Sequence, residues 1–157
     1  AEGMNAVGAG FLNEGGSPVF RNCNFTNLRS GGGSAVYSTG GDPVFINCVF
    51  SANHASGGDG STLSAAMGAP RLINCNVAGN VGPEAGVGTI VFPVTGAIVN
   101  SIIWNNSGTS ADIAGNPGVT FSMVQGGFPG AGNLDADPLL TSPLDRARLA
   151  NGSPGID

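Results

Sequence analysis

The chain has 157 residues, a length typical of one domain, and its composition is unusual: 28 residues are glycine and only 10% are charged. Such a composition excludes a conventional globular core surrounded by charged helices. The net charge of −5, with arginine as the only basic residue besides one histidine, argues against nucleic acid and against an anionic membrane surface as partners. Membrane insertion is not expected, because no run approaches the ~20 apolar residues of a membrane span.

The first 17 residues are predicted to form an incomplete coil of a repeat. Residues 11–18 match residues 36–43, so that each turn of the chain has a strand ahead of a recurrent proline. Four copies of one motif then follow at residues 18–28, 43–53, 70–80 and 96–106. A degenerate fifth copy at residues 120–125 has Phe121 at the asparagine position. A fixed period in this range indicates a repeat architecture.

Each copy is interpreted as strand, asparagine corner, strand. The recurrent asparagines are spaced 25, 27 and 26 residues apart: Asn22, Asn47, Asn74 and Asn100. Apolar residues after the corner alternate with the strand period of two, whereas the apolar positions on either side of the asparagine are three apart. Asparagine tolerates the left-handed backbone conformation that such a corner needs. Coils stacked in register would place these amides above one another, so we expect an internal hydrogen-bonded ladder.

The predicted fold is therefore all-β: a right-handed parallel β-helix, or solenoid, with about three strands per coil and roughly five coils. We assign the coils to residues 1–127 and a tail that caps the last coil to residues 128–157. Residues 1–10 are small and glycine-rich, so the first coil is expected to be open. That face would stack on upstream coils of a longer protein or on another chain, which would give self-association.

These motifs resemble those of bacterial secreted β-helix repeat proteins with the pectate-lyase-like fold, whose coils carry the pattern SPxxxNCxFxxN. The tail, at residues 132–140, 148–149 and 152–157, is similar to the segment that precedes surface-anchoring regions in such proteins. The resemblance implies an extracellular or cell-surface location. It leaves the activity open, because this superfamily hosts many functions.

Three cysteines share one column of the repeat, which Ser101 continues: Cys23, Cys48 and Cys75. A disulfide framework and a stack of buried thiols are the two interpretations. Neighbouring Cα atoms ~4.8 Å apart would allow a disulfide, but parallel Cβ vectors would not, and the number of cysteines is odd. We therefore predict buried, reduced thiols.

No catalytic residue is assigned from the sequence, and no cofactor is expected. The acidic, histidine and basic motifs of polygalacturonases are missing, and His54 has no recurrent nucleophile beside it. The pair Asp135 and Asp137 is a weak calcium candidate, which we interpret instead as a turn and cap element. The sequence thus favours a non-catalytic structural or adhesive module, with a polysaccharide lyase or glycoside hydrolase as the alternative.

Two amphipathic aromatic residues, Trp104 and Tyr37, are candidate glycan contacts. Trp104 is predicted to lie in an outward column with Thr26, Ser51 and Ala78. An exposed aromatic ring there would stack on a sugar, or the tail would cover it; the sequence does not decide between the two. Polysaccharide is accordingly one expected partner.

Overall fold

The computed structural model describes residues 7–57, 61–82, 89–93, 95–107, 112–141 and 148–155. All regular structure within these residues is β, in 17 short strands. Their bounds are β1 Phe11–Glu14, β2 Val19–Arg21, β3 Asn24–Thr26, β4 Arg29–Ser30, β5 Val36–Gly40, β6 Val44–Ile46, β7 Val49–Ser51, β8 His54–Ala55, β9 Leu63–Ala65, β10 Arg71–Ile73, β11 Asn76–Ala78, β12 Ile90–Val91, β13 Ala97–Val99, β14 Ile102–Trp104, β15 Ile113–Ala114, β16 Gly118–Thr120 and β17 Met123–Val124.

The strands form three five-stranded parallel sheets that run along one axis. Their orders are β1-β5-β9-β12-β15, β2-β6-β10-β13-β16 and β3-β7-β11-β14-β17, and a short fourth sheet pairs β4 with β8. Each strand therefore pairs with the equivalent strand of the next coil, as the repeat predicted. The all-β parallel solenoid with about three strands per coil is confirmed, at about 4 turns. The right-handed sense of the coil stays a prediction.

The core is built from inward-facing columns of like side chains. Phe45, Leu72 and Ile98 are fully buried in one column, and Phe50 is fully buried in the next. Phe25 stacks on Phe50 with ring centroids 4.9 Å apart, because in-register pairing places one ring above the other. Each buried side chain of this size contributes ~1.5–3 kcal/mol, so stability accumulates coil by coil.

The asparagine corner is confirmed in all copies. The backbone is left-handed at Asn22, Asn47, Asn74 and Asn100, and also at Phe121 of the degenerate copy, with φ between 49° and 55°. A second left-handed corner follows five residues later, at Asn27, Ala52, Gly79 and Asn105. Asparagine and glycine predominate at both corners because other side chains are strained in this conformation.

The internal amide ladder exists, but other asparagines form it. The side chains of Asn22, Asn47, Asn74 and Asn100 are exposed, so our expectation that they face inward is wrong. At the first corner the chain changes direction, and the cysteine or serine that follows takes the inward position. The inner ladder consists of Asn53, Asn80 and Asn106, which stand at the end of the repeat motif.

Each amide of this inner ladder connects neighbouring coils. The Asn53 backbone N–H donates to Asn80 Oδ1 at 3.1 Å, and the Asn80 N–H donates in the same way to Asn106 Oδ1 at 3.1 Å. The Asn80 Nδ2 group donates to the Phe50 carbonyl at 2.9 Å. Asn53 and Asn80 are at most 1% exposed, so these bonds satisfy backbone groups that water cannot reach.

Asp112 lies beside the end of this ladder. Thr89 Oγ1 donates to Asp112 Oδ1 at 3.4 Å. Burial raises the pKa of the Asp112 carboxyl above its ordinary value, although hydrogen bonds from Asn106 and Thr89 act in the opposite direction.

The first part of the tail pairs with the last coil in the way that one coil pairs with the next. Phe121 N–H donates to the Ala131 carbonyl, Ser122 N–H donates to Asn133 Oδ1, and Leu134 forms a parallel bridge with Met123. These contacts repeat the pattern by which each coil pairs with the next, and Gly132 supplies the left-handed corner with φ of 69°. Phe128 also packs against the core. Residues 142–147 and 156–157 of the predicted cap lie outside the described residues.

The first coil is less buried than the coils that follow. Phe11, Phe20 and Cys23 are partly exposed, whereas Val36, Phe45 and Cys48 at the equivalent positions are buried. Residues 1–6 lie outside the described residues, so self-association through this face stays a prediction.

The described residues contain no helix of the length and hydrophobicity needed to cross a membrane.

The inner ladder gives a stability prediction. Asn80→Leu should lower the free energy of unfolding by about 2–4 kcal/mol, because the Asn53 N–H and the Phe50 carbonyl lose their amide partner in a buried site. Asn47→Gly is the matched control: its side chain is exposed and glycine accepts a positive φ, so it should cost less than about 1 kcal/mol. Urea unfolding of the two variants measures both values. Equal losses in the two would contradict the assignment of the ladder.

Asp112 gives a pH prediction. Because its pKa is raised in the folded state, the folded protein binds this proton more tightly than the unfolded chain does. The resulting stabilisation is present at low pH and is lost as the pH rises through the raised pKa. Asp112→Asn keeps a hydrogen-bonding oxygen but does not titrate, so its stability relative to the unmodified protein should increase with pH. Unfolding free energies of both proteins measured from about pH 3 to about pH 8 test this. A value for Asp112→Asn minus the unmodified protein that falls as the pH rises would contradict it.

Candidate functional site: the asparagine groove

A groove runs along the first corner of the coils, parallel to the solenoid axis. We call it the asparagine groove. It has two adjoining parts of about 360 and about 400 Å³, which share Asn74 and Asn76. One wall is the row of corner residues, the other is the row that starts the third strand of each coil, and buried thiols and hydroxyls lie between them. The lining residues are Asn22, Asn24, Asn47, Cys48, Val49, Asn74, Asn76, Asn100, Ser101, Ile102, Phe121, Ser122, Met123, Gly132, Leu134, Leu149, Pro154 and Gly155.

The corner amides are ordered by contacts along the row. Asn47 Nδ2 donates to Asn22 Oδ1 at 3.4 Å, and Asn100 Nδ2 donates to Asn74 Oδ1 at 2.7 Å. A side-chain amide has two N–H donors and an oxygen with two lone pairs, so one bond along the row leaves it capacity for a ligand. Because the coils stack at one strand spacing, amides recur along the groove at ~4.8 Å intervals.

The C-terminal end of the groove differs from the rest, because Phe121 replaces the corner asparagine. Phe121 is 64% exposed. The Phe121 ring lies against Gly132, where an added Cβ would collide with Phe121 Cδ1, so only glycine permits this approach. Leu134, Leu149 and Pro154 of the tail line the same end.

The groove is polar but uncharged. Among the described residues that line it, none is Asp, Glu, Lys, Arg or His. It therefore offers amide hydrogen bonds, together with the apolar surface of Phe121, and no ionic contact. The hydroxyls of Ser101 and Ser122 are buried and hydrogen-bonded within the chain.

Cys48 of the predicted thiol column forms part of the floor. All three cysteines are free; Cys48 and Cys75 are buried, whereas Cys23 in the first coil is partly exposed. Cys75 Sγ contacts the carbonyls of Phe45 and Ile73, both at 3.4 Å. The hydrogen bond with Cys48, together with burial, raises the pKa of the Cys75 thiol.

Serines continue the column with stronger hydrogen bonds. Cys75 N–H donates to Ser101 Oγ, and Ser101 N–H donates to Ser122 Oγ, each at 3.1 Å. Ser122 N–H donates to Asn133 Oδ1 in the tail, also at 3.1 Å. The column is thus a hydrogen-bonded seam beneath the groove.

The two aromatic residues selected from the sequence lie elsewhere. Trp104 is a half-buried residue of β14 that pairs with Ala78, and Tyr37 is in β5, on a different sheet. Neither is among the residues that line the groove. The outward column predicted for Trp104 is not uniformly exposed, because Ser51 and Ala78 in it are fully buried.

The remaining candidates are engaged in local contacts. Asp135 accepts a hydrogen bond from Gly126 N–H at 3.0 Å, and Asp137 accepts one from Leu139 N–H at 2.8 Å. His54 Nδ1 lies 3.2 Å from Arg29 Nη1. Within the part of the chain that the structure describes, no three His, Cys, Asp or Glu side chains come together in a way that could hold a metal ion.

Sequence reasoning missed the groove, although its signals were present. It predicted that the side chains of the recurrent asparagines face the core, and so did not consider them as part of a binding surface. Phe121 was noted only as a departure from the repeat.

No family model, curated protein or solved structure matches the chain.

The thiol column gives a labelling prediction. In native buffer a maleimide should modify Cys23 first and leave Cys48 and Cys75 unmodified, because the latter two are at most 1% exposed. All three should react after unfolding, and Cys23→Ser should abolish the native reaction. Mass spectrometry counts the labels. Rapid labelling of native Cys23→Ser would show that Cys48 or Cys75 is accessible. A mass of the unlabelled protein that is lower than expected by two hydrogens would show a disulfide.

Proposed function

We propose that the chain is a non-catalytic extracellular β-helix module, structural or adhesive, that contacts polysaccharide through the asparagine groove. The observation that carries the proposal is the row of exposed corner amides that ends at the exposed ring of Phe121. Its extracellular location is supported by the resemblance to secreted β-helix repeat proteins with the pectate-lyase-like fold.

The chemistry of the groove suits a glycan. Sugar hydroxyls both donate and accept hydrogen bonds, as do the side-chain amides of Asn74 and Asn100. An aromatic ring packs well against the apolar face of a pyranose, and Phe121 supplies one at the end of the amide row. The coils also hold these groups in place before a ligand arrives, which lowers the entropic cost of binding.

The same lining favours binding over catalysis. Glycoside hydrolysis needs a pair of carboxyl groups beside the bond to be cleaved, and elimination needs a base within hydrogen-bond reach of a proton. The described lining provides neither. Asp59, Glu84 and Asp145 lie outside the described residues.

A glycan-binding experiment tests the proposal. The protein should bind at least one immobilised polysaccharide on a glycan array. Asn74→Gly should weaken that binding roughly three- to tenfold, since a hydrogen bond contributes ~0.5–1.5 kcal/mol. Glycine preserves the left-handed corner, so the variant removes one of the two amides shared by both parts of the groove, together with its hydrogen bond from Asn100 Nδ2.

Trp104→Ala and Tyr37→Ala are the matched controls, and calorimetry should show unchanged affinity for both. If Trp104→Ala abolishes binding and Asn74→Gly does not, the site is on another face. If no glycan is retained by the unmodified protein, the proposed function is wrong.

A further inference from the structure

The groove also restricts which polysaccharide it can hold. We infer that the asparagine groove selects a neutral, extended chain that lies parallel to the solenoid axis with one sugar ring on Phe121, and discriminates against acidic chains. This inference rests on the proposed function and specifies its ligand.

The direction follows from the geometry of the row. The corner residues Asn22, Asn47, Asn74, Asn100 and Phe121 occupy equivalent positions in successive coils, so their row runs along the axis. Neighbouring coils are separated by one strand spacing of ~4.8 Å. An extended β-1,4-linked chain advances by a similar distance with each sugar residue. Successive sugars would therefore meet equivalent amides, whereas a coiled chain would not stay in register.

The preference for a neutral chain follows from the charges. A uronate carboxylate that enters a groove loses hydration, and this cost is recovered only beside a cation or several donors aimed at it. Among the described residues, no Lys or Arg lines the groove, and the whole chain carries a net charge of −5. Arg21 precedes Asn22 in the chain, at the opposite end from Phe121, and is not part of the lining. A neutral sugar does not carry this cost.

Phe121 marks the end of the binding path. It has a left-handed φ of 51°, which disfavours phenylalanine and suits the asparagine found in the other copies. Its ring is also mostly exposed, and the tail contributes a glycine where any Cβ would collide with it. A strained backbone together with an exposed aromatic ring is a combination that a ligand contact explains and that core packing does not.

The experiment compares two hexasaccharides by calorimetry: a neutral β-1,4-linked one, such as cellohexaose, xylohexaose or mannohexaose, and hexagalacturonate. We expect at least one neutral chain to bind about tenfold more tightly than hexagalacturonate. Its affinity should rise from the trisaccharide to the pentasaccharide as further coils are engaged. Phe121→Asn should lower that affinity about tenfold, in line with the loss of the apolar surface that one sugar ring buries against phenylalanine.

Phe121→Asn is chosen because asparagine restores the residue of the other corners, so its melting temperature should not fall. Phe121→Tyr keeps a ring and should retain the affinity. If hexagalacturonate binds as tightly as every neutral chain, and Asn74→Gly weakens it, the selection is wrong while the proposed function stands. If Phe121→Asn binds normally, the assigned end of the path is wrong. Failure of every saccharide to bind removes both proposals.

Discussion

In-register stacking of parallel strands is the constraint on which the rest of this structure depends. Each strand residue of one coil lies one strand spacing from its equivalent in the next, in three separate sheets. A buried side chain is therefore tolerated only if it packs against the equivalent side chain of the next coil. The pairs Phe20 with Phe45 and Phe25 with Phe50 satisfy this by stacking nearly parallel, and the inner asparagines satisfy it by exchanging amide hydrogen bonds.

The two left-handed corners determine which side chains of each coil face the core and which face outward. The first corner turns Asn47 and its equivalents outward and places Cys48 inside, while the second corner is followed by the buried Asn53. The same residue type thus serves two purposes six positions apart. Inside, the amide replaces water for buried backbone groups; outside, it gives an uncharged surface with regularly spaced hydrogen-bonding groups.

The sequence was sufficient for the fold because its signals are local and repeated. The period, the strand alternation and the asparagine corner each follow from steric preferences of single residues, and even Phe121 was aligned correctly. The sequence was not sufficient for the orientation of the corner amides, because a left-handed residue breaks the alternation from which inside and outside are read. The groove also depends on Leu149 and Pro154, whose return to the corner is a tertiary contact that no local pattern encodes.

The coil-like pairing of residues 131–134 with the last coil has a consequence for how a solenoid of this kind can vary in its number of coils. Residues 131–134 bind the preceding coil through the backbone N–H groups of Phe121 and Ser122 and through a bridge to Met123. The equivalent backbone groups are present at every corner of the repeat. The hydrogen bonds of this segment use backbone groups of the last coil, and only the contact of Gly132 with the Phe121 ring depends on a side chain of that corner. All of these contacts are made with the last coil, so insertion or deletion of whole coils upstream should leave them unchanged. The length of the outer surface and the structure at its C-terminal end are therefore separable properties.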